Sequence, residues 1–320
     1  MEIDKNRVKI FAGSSSKKLA SRITEKLETS LSEVQINHFA DGEVCIKPES
    51  SVRGCKAFLI NSTSEPVNES IMELLIMIDA LKRASAYKIT AVIPYYGYAR
   101  QDRTATSREP ITAKLVANLL TKAGATRVVC MDLHAKQVQG FFDIPADHME
   151  ALPIFVNYFM KYKFDPDEVV VVSPNAGGLK RARGVADWLH TSLAIIDKRD
   201  DDNGKAEIVG IIGDVKGKKA ILVDDIINTA TTICGAANEL LKEGATEIYA
   251  CATHGIFSEQ AVELLKNTPF TEVIITDTIE IPENKKFDKL TILSTDTLFA
   301  ETIKRISSDQ SISDLFIRKE

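Results

Sequence analysis

An internal repeat at an offset of 120 residues constrains the fold of this chain more than any other feature of its sequence. The matching positions are Thr112, Ala117, Asn118, Leu120, Lys122, Gly124, Ala125, Thr126 and His134 in the first copy, and Thr232, Ala237, Asn238, Leu240, Lys242, Gly244, Ala245, Thr246 and His254 in the second. Each copy has the pattern of a helix, a Gly-Ala-Thr turn, an apolar strand and a polar segment with a histidine. So many matches in one ungapped window indicate two related halves, joined near Pro145 to Pro153.

Short apolar runs alternate with amphipathic stretches on both sides of this repeat. Strands are predicted over 8–11, 34–39, 57–61, 89–94, 128–131 and 220–223, and helices from Ser16 to about Ser30, over 68–87 with Asn68 as N-cap, over 110–124, and from Thr232 through Leu241. This alternation indicates an α/β fold with mostly parallel sheets flanked by helices. Ligands of such sheets bind beyond the carboxyl ends of the strands, so the polar segments that follow the strands are the candidate functional residues.

The composition excludes several classes of protein. A length of 320 residues suits two domains, and a net charge of −5 without a long basic block argues against nucleic acid as a partner. The first residues lack the apolar core of a signal peptide, and apolar runs stay short of membrane-spanning length, so no membrane association is expected. The five cysteines form no CxxC pair and predict small buried side chains in a reducing compartment. We therefore expect a cytoplasmic protein.

The stretch from Ala220 to Thr232 carries the strongest functional signal. The apolar run from Ala220 to Val223 predicts a strand buried on both faces, followed by Asp224 and Asp225 and then by a polar loop before the next helix. A helix N-terminus suits an anion, and the carboxylates can accept hydrogen bonds from vicinal hydroxyls or hold a divalent cation. Phosphate and polyol together predict a sugar phosphate, although the pattern alone also fits an ordinary strand–loop–helix joint with solvated acids.

In the first half, the segments 39–43 and 95–103 place aromatic, acidic and basic residues at strand ends. Arg100 and Arg103 suit a polyphosphate because guanidinium groups match phosphate oxygens in geometry. Phe39 could stack on a base, and His134 could contact a metal or a phosphate. The alternative is a solvated rim, with Phe39 in the core and a structural histidine.

Seven segments in the same order resemble the class I ribose-phosphate pyrophosphokinases along nearly the whole chain. They are Phe39-Ala-Asp-Gly-Glu43, 94–103, Ser107-Arg-Glu-Pro-Ile-Thr112, Asp132-Leu-His-Ala135, Gln139-Gly-Phe-Phe-Asp143, Ile196-Asp-Lys-Arg199 and the loop 224–232, which also resembles the ribose-phosphate loop of phosphoribosyltransferases. The resemblance implies two related phosphoribosyltransferase-type domains. They are an ATP-side domain over 1–146 and a ribose 5-phosphate domain over 147–300, with a tail over 301–320 that returns to the first.

The resemblance also implies a reaction. The family, transferases of nucleotide biosynthesis, moves the diphosphoryl group of Mg-ATP to O1 of ribose 5-phosphate, which gives phosphoribosyl pyrophosphate (PRPP) and AMP. The implied ATP-binding residues are Phe39, Asp41, Glu43, Arg100, Gln101, Asp102 and His134; the implied ribose 5-phosphate residues are Asp224, Asp225, Asn228, Thr229, Ala230, Thr231 and Thr232. Lys198 and Arg199 would be catalytic, and His134 and Asn175 would hold Mg²⁺. Glu43 would reach ATP from a neighbouring subunit, which implies a homo-oligomer, a hexamer of dimers.

The chain departs from the family pattern at positions that bear on the chemistry. Asn175 and Ala176 replace an acid and a histidine, Asp200 replaces a cation, Asn228 replaces an acid, Thr231 replaces a glycine that would permit a positive φ, and Thr104 and Thr106 replace basic residues. These changes predict reduced activity. They leave open a non-catalytic, nucleotide-binding paralogue that associates with a second, active synthetase. A purine or pyrimidine phosphoribosyltransferase is disfavoured, because two such domains are present and the first resembles an ATP site.

Overall fold

The computed structural model of the chain describes residues 4, 6–104, 106–200 and 206–315, with side chains except at 198–200, 206 and 207. Its strands are β1 (Val8–Ala12), β2 (Val34–His38), β3 (Val44–Pro48), β4 (Lys56–Ile60), β5 (Lys88–Ile93), β6 (Arg127–Met131), β7 (Ala146–Met149), β8 (Val169–Ser173), β9 (Ser192–Asp200), β10 (Ala206–Ile212), β11 (Lys219–Ile227), β12 (Glu247–Gly255), β13 (Glu272–Thr276) and β14 (Leu290–Leu293). Its α-helices are α1 (Lys17–Lys26), α2 (Val67–Arg83), α3 (Thr112–Ala123), α4 (Leu152–Phe159), α5 (Leu179–Leu189), α6 (Thr231–Lys242), α7 (Ala261–Asn267) and α8 (Asp296–Ser307).

Contacts divide the chain into two α/β units. The first contains the residues up to Glu150, Thr278–Glu280 and the segment from Ser294 onward; the second contains Ala151–Asp277 and Ile281–Leu293. Residues 147–150, 278–280 and 294–300, assigned above to the second domain, thus pack with the first. The reason is that β7 pairs with β6 and α8 packs on α1.

The first unit is built on a parallel sheet in the order β1-β4-β5-β6-β7. Most residues of β4 and β5 are buried, as expected for strands covered on both faces. An antiparallel hairpin of β2 and β3 stands apart from this sheet, and β3 was not predicted. Its residues alternate between half-buried and exposed, because only one face of the hairpin packs, against α2.

The second unit has a seven-stranded sheet in the order β10-β9-β8-β11-β12-β13-β14. All its pairs are parallel except β9 with β10. Strand β11 lies between β8 and β12, and its residues from Ala220 to Val223 have no exposed surface. The prediction of a strand buried on both faces is therefore confirmed, and the residues that follow this run lie in the middle of the sheet.

Several local predictions were wrong, among them the end of the helix predicted over 68–87, which stops at Arg83 before Ser85 adopts a positive φ of 67°. Helix α1 ends at Lys26, short of Ser30, because Glu28 adopts a positive φ of 51° that an α-helix cannot continue. Asn68 was predicted to be the N-cap of α2, but it lies inside this helix, whose N-cap is Pro66. The Asn68 side chain accepts a hydrogen bond from the Tyr98 hydroxyl at 2.5 Å.

Another error concerns the end of β11. The strand continues to Ile227 because its partner β12 also continues, pairing Ile227 with Gly255. Asp224 and Asp225 therefore belong to the strand instead of following it.

The cysteines follow the expectation with one exception. Cys55, Cys130, Cys234 and Cys251 are buried, whereas Cys45 is exposed on the hairpin, where alternate residues point to solvent. Over the described ranges, helices are either too short or too polar to cross a membrane.

Candidate active site

The carboxyl ends of three neighbouring strands of the second unit lie at one edge of its sheet. Strands β9, β8 and β11 are parallel neighbours. Asn175 follows β8, Asp224 and Asp225 lie near the end of β11, and the backbone of Lys198 and Arg199 lies near the end of β9. Three of the segments that carry predicted site residues thus meet at this edge, as parallel topology requires. The side chains of Lys198, Arg199 and Asp200 lie outside the described residues.

The two aspartates of β11 form a buried acidic pair. Their side chains are only 14% and 6% exposed for Asp224 and Asp225, and the Asp225 backbone N–H donates to Asp224 Oδ1 at 2.9 Å. Arg181 Nη1 lies 3.4 Å from Asp225 Oδ1 and 3.8 Å from Asp224 Oδ1. Burial, together with the charge of Asp225, raises the pKa of Asp224 to about 7, and Arg181 opposes that rise. The pair is therefore an acceptor group whose charge depends on its neighbours.

The loop after β11 leads into the N-terminus of α6. Ala230, the N-cap, adopts a left-handed conformation with φ of 62°, and it has no side-chain acceptor for the first N–H groups of the helix. The Thr229 and Thr231 hydroxyls lie 3.3 Å apart, and the Ser258 N–H donates to the Asn228 carbonyl at 3.0 Å. Uncapped N–H groups and hydroxyls at one helix end suit a phosphate.

The position of the positive φ corrects one expectation about this loop. Thr231 is the first residue of α6 and is helical, so its branched side chain is not strained. The residue that bears the left-handed conformation is Ala230, where an L-residue costs roughly 1–2 kcal/mol.

Asn175 closes a turn between β8 and α5. Its Oδ1 accepts the Gly178 N–H at 2.9 Å, and its carbonyl accepts the Ser173 hydroxyl at 2.7 Å. A Cβ on Gly177 would lie 3.2 Å from the same Oδ1, so glycine keeps that approach open. An aspartate could accept the same N–H, so the asparagine preserves the turn and removes one negative charge.

In the first unit, the segment from Phe39 to Glu43 forms the tip of the β2–β3 hairpin. The Phe39 N–H donates to the Glu43 carbonyl at 2.8 Å, and Gly42 turns the chain with a φ of 93°. Phe39 is 58% exposed, and Asp41 and Glu43 are exposed as well. Phe39 is therefore not a core residue, and its ring is accessible to a flat ligand.

The segment from Arg100 to Asp102 follows β5, and His134 follows β6. Gln137 Nε2 donates to Asp102 Oδ2 at 3.2 Å, which links the two segments. Gln101 Oε1 accepts the Thr112 hydroxyl at 2.5 Å and so fixes the start of α3. Arg100 and His134 are exposed at this edge of the sheet.

Sequence reasoning missed two residues that organise these segments. His148 Nε2 accepts the Leu133 N–H at 3.0 Å and thereby holds the turn that carries His134. Arg181 contacts both aspartates from the first turn of α5. A cation is unfavourable at a helix N-terminus, so its presence there was a signal that acids lie nearby.

A cavity of about 570 Å³ lies at the opposite edge of the first sheet, where β4, β5 and β6 begin. Lys56, Lys88 and Arg127 line it, together with Asp309. Asp309 pairs with Lys56 at 2.7 Å and with Lys88 at 3.9 Å, and Arg127 pairs with Asp147 at 2.5 Å. The cavity is therefore remote from the carboxyl ends of these strands, and each of its three cations already has an acidic partner.

The donor set for a metal ion is sparse. Within the described part of the chain, no three His, Cys, Asp or Glu side chains lie together as a group that could hold an ion. Mg²⁺ commonly takes one or two protein ligands and completes its shell with water and substrate phosphates. A sparse protein donor set of this kind therefore suits a metal that arrives with a polyphosphate better than a resident ion.

The chain is similar to proteins of one kind over nearly its whole length. A model of the N-terminal domain of ribose phosphate pyrophosphokinase matches residues 8–124, and one of the phosphoribosyl synthetase-associated domain matches 203–317. The ribose-phosphate pyrophosphokinase of Fusobacterium nucleatum is 56% identical over 98% of this chain and 99% of its own, and that of Caldanaerobacter subterraneus is 58% identical over 97% and 98%. The crystal structure of phosphoribosylpyrophosphate synthetase from Mycobacterium smegmatis matches with a TM-score of 0.90 and 43% identity, covering 95% of this chain and 99% of that one.

Proposed function

The chain belongs to the ribose-phosphate pyrophosphokinase family, and on that premise we propose which of its residues bind each substrate and which stabilise the transferred group. The reaction transfers the diphosphoryl group of ATP to O1 of ribose 5-phosphate and yields PRPP and AMP. The observation that carries the assignment of residues is the buried acidic pair beside the uncapped start of α6.

The second unit binds ribose 5-phosphate in this proposal. Asp224 and Asp225 accept hydrogen bonds from the ribose hydroxyls, since carboxylates are acceptors with several lone pairs. The segment from Asn228 to Thr232 binds the 5-phosphate through backbone N–H groups and threonine hydroxyls. Asn228 and Thr231 depart from the family pattern in this loop, so ribose 5-phosphate is proposed to bind more weakly than in a relative with the usual loop.

The first unit binds ATP in this proposal. The exposed Phe39 ring stacks on adenine, and Asp41 and Glu43 accept hydrogen bonds from it. Arg100 contacts the phosphates, while Gln101 and Asp102 hold the segment through Thr112 and Gln137. Glu43 is held on the same hairpin tip as Phe39 and Asp41, so this tip as a whole reaches the ATP of a neighbouring subunit in the proposal, and a homo-oligomer is required.

Lys198 and Arg199 supply positive charge to the transferred group. Phosphoryl transfer depends mainly on positioning and on stabilisation of negative charge that develops on the oxygens. His134 of the first unit and Asn175 of the second are the residues proposed to hold Mg²⁺, which would neutralise part of that charge when present. The protein's own share is to hold the two substrates in line and to exclude water from the reacting atoms.

The substitutions at Asn175 and Asp200 are proposed to limit the rate. An opposite charge pair at ~5 Å and an effective dielectric constant of ~20 is worth roughly 3 kcal/mol, so Asp200 works against Lys198 by up to that amount. Asp200→Arg is expected to raise kcat at least ~10-fold, which corresponds to an activation barrier lower by ~1.4 kcal/mol.

Asn175→Asp should raise kcat and lower the Mg²⁺ concentration for half-maximal rate, because a carboxylate suits a hard cation better than an amide. Steady-state kinetics of both single variants and the double variant test this.

The control for these kinetics is Asp214→Arg, which makes the same charge change at an exposed acid of the second unit. It should leave kcat within twofold. If the double variant folds, binds ATP and gains no rate, the substitutions do not limit activity. The alternative of a nucleotide-binding regulatory paralogue of a second synthetase would then gain weight.

Release of AMP from ATP, ribose 5-phosphate and Mg²⁺ by pure protein tests the proposed activity directly. AMP formed in equal amount with PRPP supports it. AMP formed without ribose 5-phosphate would indicate a contaminating hydrolase. Binding of ATP with no turnover by the protein or by the Asp200→Arg variant would favour the regulatory paralogue.

The oligomeric state follows from the role proposed for Glu43. We expect a homo-oligomer built from dimers, a hexamer of dimers in the family pattern, and light scattering at micromolar concentration measures its mass. A monomer that is fully active would contradict the proposal that Glu43 acts across a subunit boundary. Association with a paralogue and a cytoplasmic location stay predictions.

A further inference from the structure

We infer that Arg181 is a positioning residue that holds Asp224 and Asp225 together and opposes the uptake of a proton by this pair, which faces ribose 5-phosphate; the inference rests on the function proposed above. Successive side chains of a strand normally point to opposite faces of the sheet. Here one nitrogen, Arg181 Nη1, lies within 3.8 Å of a carboxylate oxygen from each of two successive residues. A single cation between them draws both carboxylates to the same place.

Electrostatics explain why the pair needs this cation. Two carboxylates that are buried and adjacent repel each other, and such a pair tends to take up a proton. A protonated carboxyl group donates one hydrogen bond and loses acceptor capacity, so it fits ribose hydroxyls less well. Arg181 offsets the repulsion from a side chain that is itself only 23% exposed, so solvent screens the contact weakly.

The local sequence is arranged to bring the guanidinium group to this position. Arg181 lies in the first turn of α5, where the helix dipole disfavours a cation, so the contact with the acids must outweigh that cost. Gly178 precedes it, and a Cβ there would lie 3.0 Å from Ser173 Oγ and 3.9 Å from Arg181 Nη1. The turn closed by Asn175 thus sets the start of α5 and with it the origin of the Arg181 side chain.

The role of a positioning residue predicts a particular kinetic pattern. Arg181 contacts the pair and not the transferred group, so its loss should act on the binding of ribose 5-phosphate. Arg181→Ala is expected to raise KM for ribose 5-phosphate ~30-fold and to change KM for ATP less than threefold. Arg181→Lys keeps the charge and should recover most of the loss. Guanidinium ion at tens of millimolar should partly restore Arg181→Ala, because it can occupy the vacated position between the carboxylates.

Arg183 offers a matched control on the same helix. It is exposed and two residues away, a spacing that puts it on a different face of α5. Arg183→Ala should keep both KM values within twofold, and guanidinium should not raise its rate. Circular dichroism and ATP binding establish that each variant is folded.

The outcomes separate this inference from the proposed function. If Asp225→Ala raises KM for ribose 5-phosphate while folded Arg181→Ala does not, the inference is wrong and the function stands. If neither variant affects ribose 5-phosphate, the proposed site itself is wrong. Should Arg181→Ala not fold, Arg181→Met decides, because it keeps a long side chain and removes the charge. A raised KM for ribose 5-phosphate with an unchanged KM for ATP supports the inference, and unchanged KM values or equal losses for both substrates overturn it.

Discussion

Replacing Lys198 with alanine is expected to lower kcat ~10³-fold and to leave KM for ATP and for ribose 5-phosphate within threefold. Cations that stabilise a transferring phosphoryl group contribute on the order of 10³–10⁵ in rate. The lower end applies here, because Arg199 remains and Asp200 already offsets part of the positive charge. The charge develops only in the transition state, so the loss should fall on kcat.

Lys266→Ala is a suitable control for this measurement. Lys266 lies on α7 of the same unit and forms an exposed pair with Glu263 at 3.3 Å. Exposed pairs contribute little, so this variant should retain full activity. If Lys198→Ala keeps more than a tenth of wild-type kcat while folded, Lys198 is not the main source of transition-state stabilisation.

Replacing Asp225 with alanine is expected to raise KM for ribose 5-phosphate ~100-fold. A hydrogen bond to a charged group is worth ~1.5–3 kcal/mol, and a carboxylate that accepts from two vicinal hydroxyls makes more than one. The side chain is almost fully buried, so water cannot replace it well. The loss also removes one partner of Arg181, which leaves the guanidinium on Asp224 alone.

Calorimetric binding of ribose 5-phosphate and steady-state kinetics together test this prediction. Asp214→Ala serves as the control, because Asp214 is an exposed acid of the same unit. Among the described contacts, its side chain forms an ion pair with Lys218 and accepts the Lys216 backbone N–H. Asp225→Ala with unchanged affinity for ribose 5-phosphate would contradict the assignment of the acidic pair. An equal loss of ATP affinity would point to misfolding instead.

The sequence predicted the features that depend on local pattern. The 120-residue repeat predicted two α/β units, and the apolar run before Asp224 predicted a strand in the middle of a parallel sheet. Asn175 and Lys198 were singled out by the family resemblance, because strands β8 and β9 were not predicted from the local pattern. Their parallel pairing with β11 brings the carboxyl ends of the three strands to one edge.

Other features depend on partners that lie far apart in the chain. The extension of β11 through its two aspartates was missed because acidic residues are depleted in strands, and the pairing with β12 overrides that preference. The contact of Arg181 with Asp225 joins residues 44 positions apart, and no local pattern encodes it. Strand β3 was missed because it contains Lys47 and Pro48 and buries only one face.

The last α-helix of the described residues, α8, completes the unit that the ribosome makes first. Phe299 and Ile303 of α8 are buried where this helix packs on α1, whose Leu19 and Ile23 are buried too. Synthesis runs from the N-terminus, so α1 emerges from the ribosome long before α8. The apolar face of α1 therefore lacks its packing partner while the whole second unit is translated. The second unit is nearly continuous in sequence and closes shorter loops. The first unit to leave the ribosome is thus the last to finish folding, and a nascent chain that stalls before Asp296 would expose α1 to chaperones and proteases.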